Sequence, residues 1–368
     1  MQAEDFVAES ELPPVRVGLV GCGRHASFCI HPSLPYLPHI EVVAVCDLDE
    51  SRARATAGRL AVPAVYTQTG RMLAEQQPEA VIVIGPPAMQ NPVGLECLAH
   101  GCHLLIDKPP GLCPADARRL AEAADAAGLI GQVGHNQRHS PAMRTARRMA
   151  ASPEFGDPTT VFTKYCGEIP TEPFWGLEPL VRGLLYYQAV HPVDTSRSIL
   201  GEIETVTAYQ VQSGSVAGGG PIVVMLEFVN GTLAVLDQNT ATPYFQMRTT
   251  IAGSAGTSVD VVDLDRVTYL QRPENTGHRR VEPAELEFGI FYEVMPAQTW
   301  QVPRQYPAEK AFGYVDQLAA FAAAVRGGES GKPTLWDGYE NLLALEAISR
   351  SLTTRRPVTI DEIRADLG

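Results

Sequence analysis

Residues 17–26 read Val17-Gly-Leu-Val-Gly21-Cys-Gly23-Arg-His-Ala26 and end the first apolar run of the chain in a glycine-rich turn. The form G-x-G-x-x-A is a variant of the turn that joins a strand to a helix at a phosphate site. Gly21 permits the tight turn, Gly23 lets the backbone approach a phosphate, and Ala26 lets the helix pack on the sheet. The helix N-terminus faces the anion. The segment therefore predicts a dinucleotide-binding turn that includes Arg24 and His25, and a purely structural turn is the alternative.

A carboxylate follows the second predicted strand. The strand Glu41–Cys46 ends at Asp47, which lies 24 residues beyond Gly23. This spacing is close to the about 20 residues at which an acid binds the ribose hydroxyls of a dinucleotide. Because that carboxylate would repel a 2′-phosphate, the sequence favours NAD over NADP as the cofactor. The alternative is a helix-capping acid, and Asp49 also fits that role.

Short apolar strands alternate with helical patterns through the first third of the chain. The predicted strands are Val15–Val20, Glu41–Cys46, Ala80–Ile84, His103–Ile106 and Ile130–Val133. The predicted helices between them are Glu50–Leu60, Gly70–Gln76, Asn91–His100 and Pro114–Ala127. This alternation predicts an α/β fold that begins with a doubly wound parallel sheet of the Rossmann type, over residues 1–134.

The pattern changes after about Val133, where strand-like runs follow one another. These runs are Thr159–Tyr165, Glu204–Gln212, Ile222–Phe228, Thr232–Gln238, Met247–Ile251 and Ser258–Val262, with helices predicted at Leu180–Leu200, Tyr314–Val325 and Gly338–Leu352. We predict a second, C-terminal α+β domain over residues 135–368, with an open, mostly antiparallel sheet covered by helices on one face. The uncovered face predicts a homodimer or homotetramer through this sheet. Gly214–Pro221 is interpreted as a flexible connection and Arg272–Gln305 as an irregular loop near the site.

Composition excludes several classes of function. The 368 residues carry a net charge of −13 and no run of basic residues, so we expect no nucleic-acid partner. The seven cysteines form no C-x-x-C pair, which favours free thiols and predicts no metal site. No apolar run approaches the about 20 residues of a membrane span, and the acidic N-terminus lacks a signal-type core. We therefore expect no membrane partner and a cytoplasmic location.

The segment Ile106-Asp107-Lys108-Pro109-Pro110 stands at the C-terminal end of a predicted strand. In a doubly wound sheet this edge is where ligands bind. A lysine fixed there can donate a hydrogen bond to a substrate oxygen and stabilise charge during hydride transfer. A surface lysine after a buried strand is the alternative.

Tyr187, His191 and Asp194 follow at helical spacing, which places them on one face of the predicted helix. An imidazole suits proton exchange near neutral pH, a carboxylate can orient its ring, and a phenol can relay a proton. The sequence thus predicts a catalytic group on this helix, with a core-facing stripe as the alternative. Pro192 has to lie in the first turn of the helix or kink it, and a helix that begins near Gln188 would leave Tyr187 outside.

Taken in order, these motifs resemble the glucose–fructose oxidoreductase/inositol dehydrogenase/MocA family over nearly the whole chain. The resemblance implies an NAD-dependent dehydrogenase or ketoreductase that exchanges hydride with a hydroxyl or keto carbon of a sugar or polyol. It implies that Lys108 binds and polarises the reacting oxygen and that His191 is the general acid/base.

The chain departs from the family pattern at several positions. Tyr187 replaces the first aspartate of the histidine helix, so either Asp194 partners His191 or Tyr187 joins the proton relay with Lys108. Asp107 stands where the family usually has glutamate, and Gly85-Pro86…Gln90 replaces a Thr-Pro…His segment. Val133-Gly-His-Asn136-Gln-Arg138 is similar to the Gly-x-Asn-x-Arg segment of the family. The resemblance thus assigns the cofactor side of the site to Pro86, Gln90, Asp107, Lys108 and Asn136, and adds Arg138 to the substrate side.

The loop from Tyr165 to Gly183 holds Phe174 and Trp175, whose faces can stack on a sugar ring. It also holds three acids that could receive an amino sugar, namely Glu168, Glu172 and Glu178. A surface loop pinned by two aromatic residues is the alternative.

Two rival functions remain open. One is a redox-elimination enzyme of the glycosidase or lyase type, in which hydride transfer to NAD is transient. The other is a non-catalytic, NAD-binding regulatory subunit, which the Tyr187 replacement suggests and the presence of Lys108 and His191 opposes.

Overall fold

The computed structural model describes residues 13–167, 172–211, 220–239, 245–271, 297–327 and 331–367. Glu168, residues 214–219 of the predicted connection Gly214–Pro221 and residues 272–296 of the predicted irregular loop lie outside the described residues. Within the described part, no helix combines the length and the apolarity needed to span a membrane.

The first sheet is parallel and has six strands in the order β3-β2-β1-β4-β5-β6. They are β1 (Val15–Val20), β2 (Ile40–Cys46), β3 (Val65–Tyr66), β4 (Ala80–Val83), β5 (His103–Asp107) and β6 (Gly131–Gly134). Val17 and Leu19 are fully buried, as expected of a strand covered by helices on both faces. The predicted Rossmann-type sheet is confirmed, and only the two-residue β3 was missed.

Four α-helices connect these strands: α1 (Glu50–Leu60), α2 (Thr69–Gln76), α3 (Pro87–Ala99) and α4 (Pro114–Ala127). Asp49 caps α1 by accepting hydrogen bonds from the N–H groups of Ser51 and Arg52. Helix α3 begins at Pro87, four residues before the predicted start at Asn91. Proline is well suited to the first turn of a helix, where its missing N–H has no partner to lose.

The second sheet has nine strands in the order β14-β13-β12-β11-β7-β10-β9-β8-β15. They are β7 (Pro158–Cys166), β8 (Ile203–Gln210), β9 (Ile222–Phe228), β10 (Leu233–Asn239), β11 (Gln246–Gly253), β12 (Thr257–Val262), β13 (Arg266–Gln271), β14 (Ala297–Gln301) and β15 (Val358–Thr359). Among the described strands of this sheet, only β7 and β10 pair in parallel, so the predicted mostly antiparallel sheet is confirmed.

The interpretation of Arg272–Gln305 as an irregular loop is wrong at Ala297–Gln301, which forms β14 and pairs with β13. Residues 297–301 show no regular alternation of apolar side chains. The segment is a strand because it pairs with β13.

The helices of the second half are α5 (Pro141–Ala150), α6 (Leu180–Leu184), α7 (Val190–Leu200), α8 (Ala308–Ala311), α9 (Tyr314–Val325), α10 (Leu335–Thr354) and α11 (Ile360–Ala365). A π-helical turn, Leu185–Ala189, joins α6 to α7, so the predicted helix Leu180–Leu200 is continuous. This turn ends three residues before Pro192, and Tyr187 lies inside the helix.

The chain returns to the first sheet in its last part. Val315, Leu318 and Phe321 of α9 are buried in the same cluster as Val17 and Leu19 of β1. Helix α10 packs between α4 of the first half and β8 of the second. The core of the first sheet therefore includes α9, a helix from the last part of the chain. The predicted domain boundary at residue 134 stays a prediction.

One face of the second sheet carries exposed apolar side chains. The strand register aligns Met225, Val235 and Phe162 in a row across β9, β10 and β7. Met225 is 37% exposed and Phe162 is 50% exposed. The predicted uncovered apolar face is therefore present in the described chain.

Candidate active site

A cavity of about 630 Å³ lies where the strand ends of the first sheet meet the second half of the chain. Its wall combines the glycine turn from Gly23 to Ala26, the end of β5 with Asp107 and Lys108, and the helical stretch with Tyr187 and His191. The structure thus brings together, in one cavity, predicted residues that are far apart in the sequence.

The two glycines of the turn have different roles. Gly21 has a φ of +99°, and a Cβ atom there would lie 1.8 Å from the Ile84 carbonyl oxygen. Gly23 has an ordinary φ, and no atom of the described residues lies within 4 Å of the position that a Cβ atom would take. Gly21 is therefore required by the fold, whereas Gly23 keeps an open space beside the cavity. That open space, with Arg24 and Arg52 on the same wall, fits a group as large and anionic as a dinucleotide pyrophosphate.

Asp47 lies against the glycine turn. Its Oδ2 accepts a hydrogen bond from the Cys22 N–H at 2.7 Å, and its Oδ1 accepts one from the Asp49 N–H at 2.8 Å. Each carboxylate oxygen retains a second lone pair for a ribose hydroxyl. Arg52 forms an ion pair with Asp49 at 3.2 Å.

His25 connects three elements around the cavity. Its Nε2 lies 3.4 Å from Oδ2 of Asp107, and its ring meets the edge of Tyr314 with 5.9 Å between the centres. Asp107 is the main reason that the pKa of His25 is raised. Tyr314, which the sequence analysis did not select, comes from α9 and lines the cavity. No local pattern marks it, because its position depends on the return of α9 to the first sheet.

Lys108 is half-buried, and its Nζ donates a hydrogen bond to the Tyr187 carbonyl oxygen at 2.8 Å. The same Nζ lies 4.9 Å from the centre of the Tyr187 ring, within the range of a cation–π contact. Burial lowers the pKa of Lys108 to about 8, although the nearby Asp107 carboxylate opposes the shift. Lys108 is thus a cation held in place by Tyr187, and its pKa lies only slightly above neutral pH.

His191 is buried and its ring stacks on Tyr165, with centres 5.9 Å apart and planes 8° apart. Burial, with the nearby Lys108 and His135, holds the pKa of His191 well below its usual value. The imidazole is therefore neutral near pH 7 and can accept a proton. No described side chain forms a hydrogen bond with its Nδ1. Tyr165 was not predicted for the site, because in the sequence it stands only at the junction of a predicted strand and the loop that follows it.

Asp194 does not reach the cavity wall. Its oxygens accept hydrogen bonds from Arg138 at 2.7 and 2.6 Å and from Asn341 at 2.7 Å. Burial alone would raise the pKa of Asp194, but the Arg138 guanidinium outweighs it, and the pKa lies well below the usual range. The structure thus pairs Asp194 and Arg138 with each other, away from the cavity wall, and the catalytic role of Asp194 and the substrate contact of Arg138 stay predictions.

Two predicted cofactor ligands are also engaged elsewhere. The Asn136 side chain donates to the Phe312 carbonyl oxygen at 2.9 Å, and the Gln90 side chain donates to the Pro109 carbonyl oxygen at 3.1 Å. Neither lies on the cavity wall, whereas Pro86 does. The Gln90 amide thus contacts the segment directly after Lys108, and the cofactor contacts of Gln90 and Asn136 stay predictions.

The predicted aromatic loop does reach the cavity. Trp175 lines it together with Tyr187 and with Phe245, which the sequence analysis did not select. Glu172 and Glu178 are exposed and stand apart from the lining residues, so the structure brings neither to the site.

Fold and site define an oxidoreductase with a Rossmann domain. The family model described as "Oxidoreductase family, NAD-binding Rossmann fold" matches residues 15–135, and the "GFO/IDH/MocA C-terminal domain" model matches residues 143–259. The chain therefore belongs to the Gfo/Idh/MocA family of dehydrogenases, whose members act on CH–OH groups, as the resemblance implies.

Two named relatives illustrate the similarity. A myo-inositol 2-dehydrogenase of Thermotoga maritima is 24% identical over 357 residues, which cover 95% of this chain and 99% of the relative. A D-glucoside 3-dehydrogenase of Escherichia coli is 28% identical over 214 residues, which cover 54% of this chain and 58% of the relative.

Solved structures match over almost the full length. A dehydrogenase from Chromobacterium violaceum superposes with a TM-score of 0.82 at 24% identity, covering 94% of this chain and 97% of that one. GenD2 from gentamicin A biosynthesis, solved in complex with NAD, has a TM-score of 0.75 at 25% identity. The match covers 95% of this chain and 97% of that one.

Proposed function

We propose that this enzyme transfers hydride between NAD and a hydroxyl or keto carbon of a sugar, polyol or amino-sugar moiety. The observation that carries the proposal is that Lys108 and His191 share one cavity with the glycine turn. Gly23 and Arg24 would hold NAD, which would supply the hydride acceptor when bound. The names of the relatives, an inositol and a D-glucoside dehydrogenase, support a cyclic polyhydroxy substrate.

In this proposal, Lys108 donates a hydrogen bond to the reacting oxygen and stabilises the negative charge that develops on it. His191, neutral at pH 7, accepts the proton of the hydroxyl during oxidation and returns it during reduction. Tyr187 orients Lys108 through its carbonyl oxygen and its ring. Asp194 positions the helix of His191 through Arg138.

We assign NAD rather than NADP because of Asp47. Its carboxylate is held against the glycine turn by the Cys22 N–H, where a 2′-phosphate would be repelled. Arg52, which lies on the same cavity wall, is paired with Asp49.

The row of Phe162, Val235 and Met225 supports a homodimer or homotetramer in which a second copy covers the open sheet face. The seven free thiols favour a reducing location such as the cytoplasm.

The test is oxidation of a panel of sugars, inositols and aminoglycosides with NAD, followed by NADH absorbance. Lys108→Ala is expected to lower turnover by about a hundredfold to a thousandfold while NAD still binds, and the exposed Lys332→Ala is the matched control. Undiminished turnover in Lys108→Ala would refute the assignment. Product formation without net NADH would instead favour the redox-elimination reaction.

A further inference from the structure

Three rings on the cavity wall form a row that ends on the proposed acid/base: Phe245, Tyr165 and His191. The Tyr165 ring is nearly parallel to the imidazole, with planes 8° apart and centres 5.9 Å apart. Phe245 meets the Tyr165 ring edge to face, with 5.7 Å between the centres. Offset-parallel and edge-to-face pairs are the two arrangements that aromatic rings favour. Each ring of the row therefore makes a favourable contact with the next.

The backbone of Tyr165 is held on both sides. Tyr165 is the next-to-last residue of β7, where it pairs with Gln238 of β10 and with Met247 of β11. Its half-buried side chain packs against the hydrophobic core of the second sheet. Paired strands inside a sheet are among the last parts of a protein to open. The sheet thus presents the Tyr165 ring to the imidazole as a fixed surface.

A histidine that exchanges protons needs a fixed ring orientation, which a hydrogen bond to one ring nitrogen usually provides. Asp194 lies one helical turn beyond His191, but both of its oxygens accept hydrogen bonds from Arg138. The Nδ1 atom of His191 is buried and has no hydrogen-bond partner among the described residues. The contact that the structure does give the imidazole is the parallel ring of Tyr165.

The Tyr165 ring acts on the imidazole as a neutral surface. Burial raises the pKa of Tyr165 well above its usual value, so its hydroxyl keeps its proton at working pH. The charged and titratable groups that act on His191 come from other positions around it, namely Lys108, His25, His135 and Asp194. Burial is the main reason that the pKa of His191 is lowered. A ring that covers one face of the imidazole contributes to that burial without adding a charge.

We propose that Tyr165 is the positioning residue of His191, and that its ring fixes the plane of the imidazole and keeps water away from it. This inference rests on the proposed function, in which His191 accepts the proton of the reacting hydroxyl. The flat ring carries this role, and the hydroxyl does not. Phenylalanine should therefore replace Tyr165, whereas an aliphatic side chain should not.

The test compares Tyr165→Phe and Tyr165→Leu with the wild-type enzyme, with NAD and a substrate identified in the panel. Tyr165→Phe keeps the ring and should keep kcat within about threefold. Tyr165→Leu should lower kcat by about tenfold to a hundredfold with little change in KM, because a displaced base is felt in the transition state. Tyr269→Leu is the matched control: it removes a ring that packs on Phe155 in the same sheet, outside the cavity lining, and should leave kcat unchanged.

The pKa of His191 separates positioning from a general loss of structure. In Tyr165→Leu water reaches the imidazole, so its pKa should rise toward the usual value of 6.5. A protonated imidazole cannot accept the substrate proton, so oxidation by this variant should fall below about pH 6. The wild-type enzyme and Tyr165→Phe should stay level there. Titration of the histidine C–H resonances by NMR, with His191→Asn to assign the signal, gives the same pKa without turnover.

An equal loss of kcat in Tyr165→Phe and Tyr165→Leu would overturn the proposal, because it would assign the role to the hydroxyl. An unchanged kcat or an unshifted pKa of His191 in Tyr165→Leu would overturn it as well. If Tyr165→Leu does not fold, Phe245→Leu loosens the Tyr165 ring and should shift the pKa of His191 in the same direction. A wild-type enzyme that oxidises no member of the panel would refute the proposed function alone, since the NMR titration still tests the contact of the two rings.

Discussion

The Arg138 guanidinium and the Asp194 carboxylate form a bidentate ion pair, with Nε 2.7 Å from Oδ2 and Nη2 2.6 Å from Oδ1. Both side chains are buried. Arg138 follows β6 and Asp194 lies on α7, three residues beyond His191. The pair therefore fixes the helix of His191 to the end of the first sheet, and this role leaves the imidazole without a carboxylate partner in the described chain.

Asp194→Asn is expected to lower the free energy of unfolding by about 3 kcal/mol, because it leaves a buried guanidinium without its main counter-charge. Urea unfolding followed by circular dichroism measures the change. The exposed pair of Arg54 and Glu50 offers the matched control, and Glu50→Gln should cost no more than about 0.5 kcal/mol. A variant with wild-type stability but strongly reduced kcat would show instead that Asp194 acts in catalysis.

The two glycines of the cofactor turn should respond differently to alanine. Gly21→Ala should destabilise the fold by about 3 kcal/mol, because it combines a positive φ with a clash against the Ile84 carbonyl. Gly23→Ala should change stability by less than about 1 kcal/mol yet weaken NAD binding by about tenfold or more. Thermal unfolding and NAD titration of both variants separate the two effects. Equal loss of stability in both would contradict the distinction.

Asp47→Ala is expected to raise KM for NAD by about tenfold, through the loss of charged hydrogen bonds to the ribose. The same change should improve the relative use of NADP, because the repulsion of a 2′-phosphate disappears. Initial rates with both cofactors provide the measurement. Thr359→Ala, which removes the N-terminal cap of α11 outside the cavity lining, should cost about 1 kcal/mol of stability without altering KM. An unchanged cofactor ratio in Asp47→Ala would argue against its role in selection.

The rate of oxidation should be level near neutral pH and fall above a pH of about 8. Lys108 has to carry its proton to stabilise charge on the reacting oxygen, and it loses that proton as the pH rises through its lowered pKa. No acid limb is expected near pH 6.5, since the pKa of His191 lies well below that value. Lys108→Arg should move the alkaline fall to higher pH, because guanidinium keeps its proton. A rate that increases through pH 8 would make Lys108 the base.

Phe162→Lys should dissociate the oligomer, because it places a charge in the apolar row on the open sheet face. Light scattering coupled to size-exclusion chromatography reports the mass. Val229→Lys is the control, since Val229 is 69% exposed at the end of β9, outside the row. A wild-type monomer would refute the proposed assembly.

The first sheet could be predicted because its signals are local. The strand before Gly21 and the strand before Asp47 each carry a continuous apolar run, and a parallel sheet places their ends together. The placement of Lys108 and His191 in one site could be predicted from the position of Lys108 at the end of a parallel strand, together with the motif order of the family. Residues at the end of a strand or on one face of a helix can thus be assigned from sequence.

The contacts that were missed depend on partners far apart in the sequence. Spacing placed Asp194 correctly on the helix of His191, but only the fold reveals that Arg138 reaches it from another element. Tyr314 lines the cavity because α9 packs against β1, which is distant in the sequence. No periodic pattern in the sequence indicates this contact. The left-handed backbone of Trp175, with a φ of +57°, is equally invisible, since tryptophan carries no preference for it.

The return of α9 also has a consequence for recombination. Val315, Leu318 and Phe321 complete the core of the nucleotide-binding layer, and Tyr314 touches His25 of the glycine turn. A chimera that takes residues 135–368 from a relative would therefore import part of the wall around the cofactor together with the new substrate half. We expect the two halves to be interchangeable only when α9 stays with the sheet that it covers.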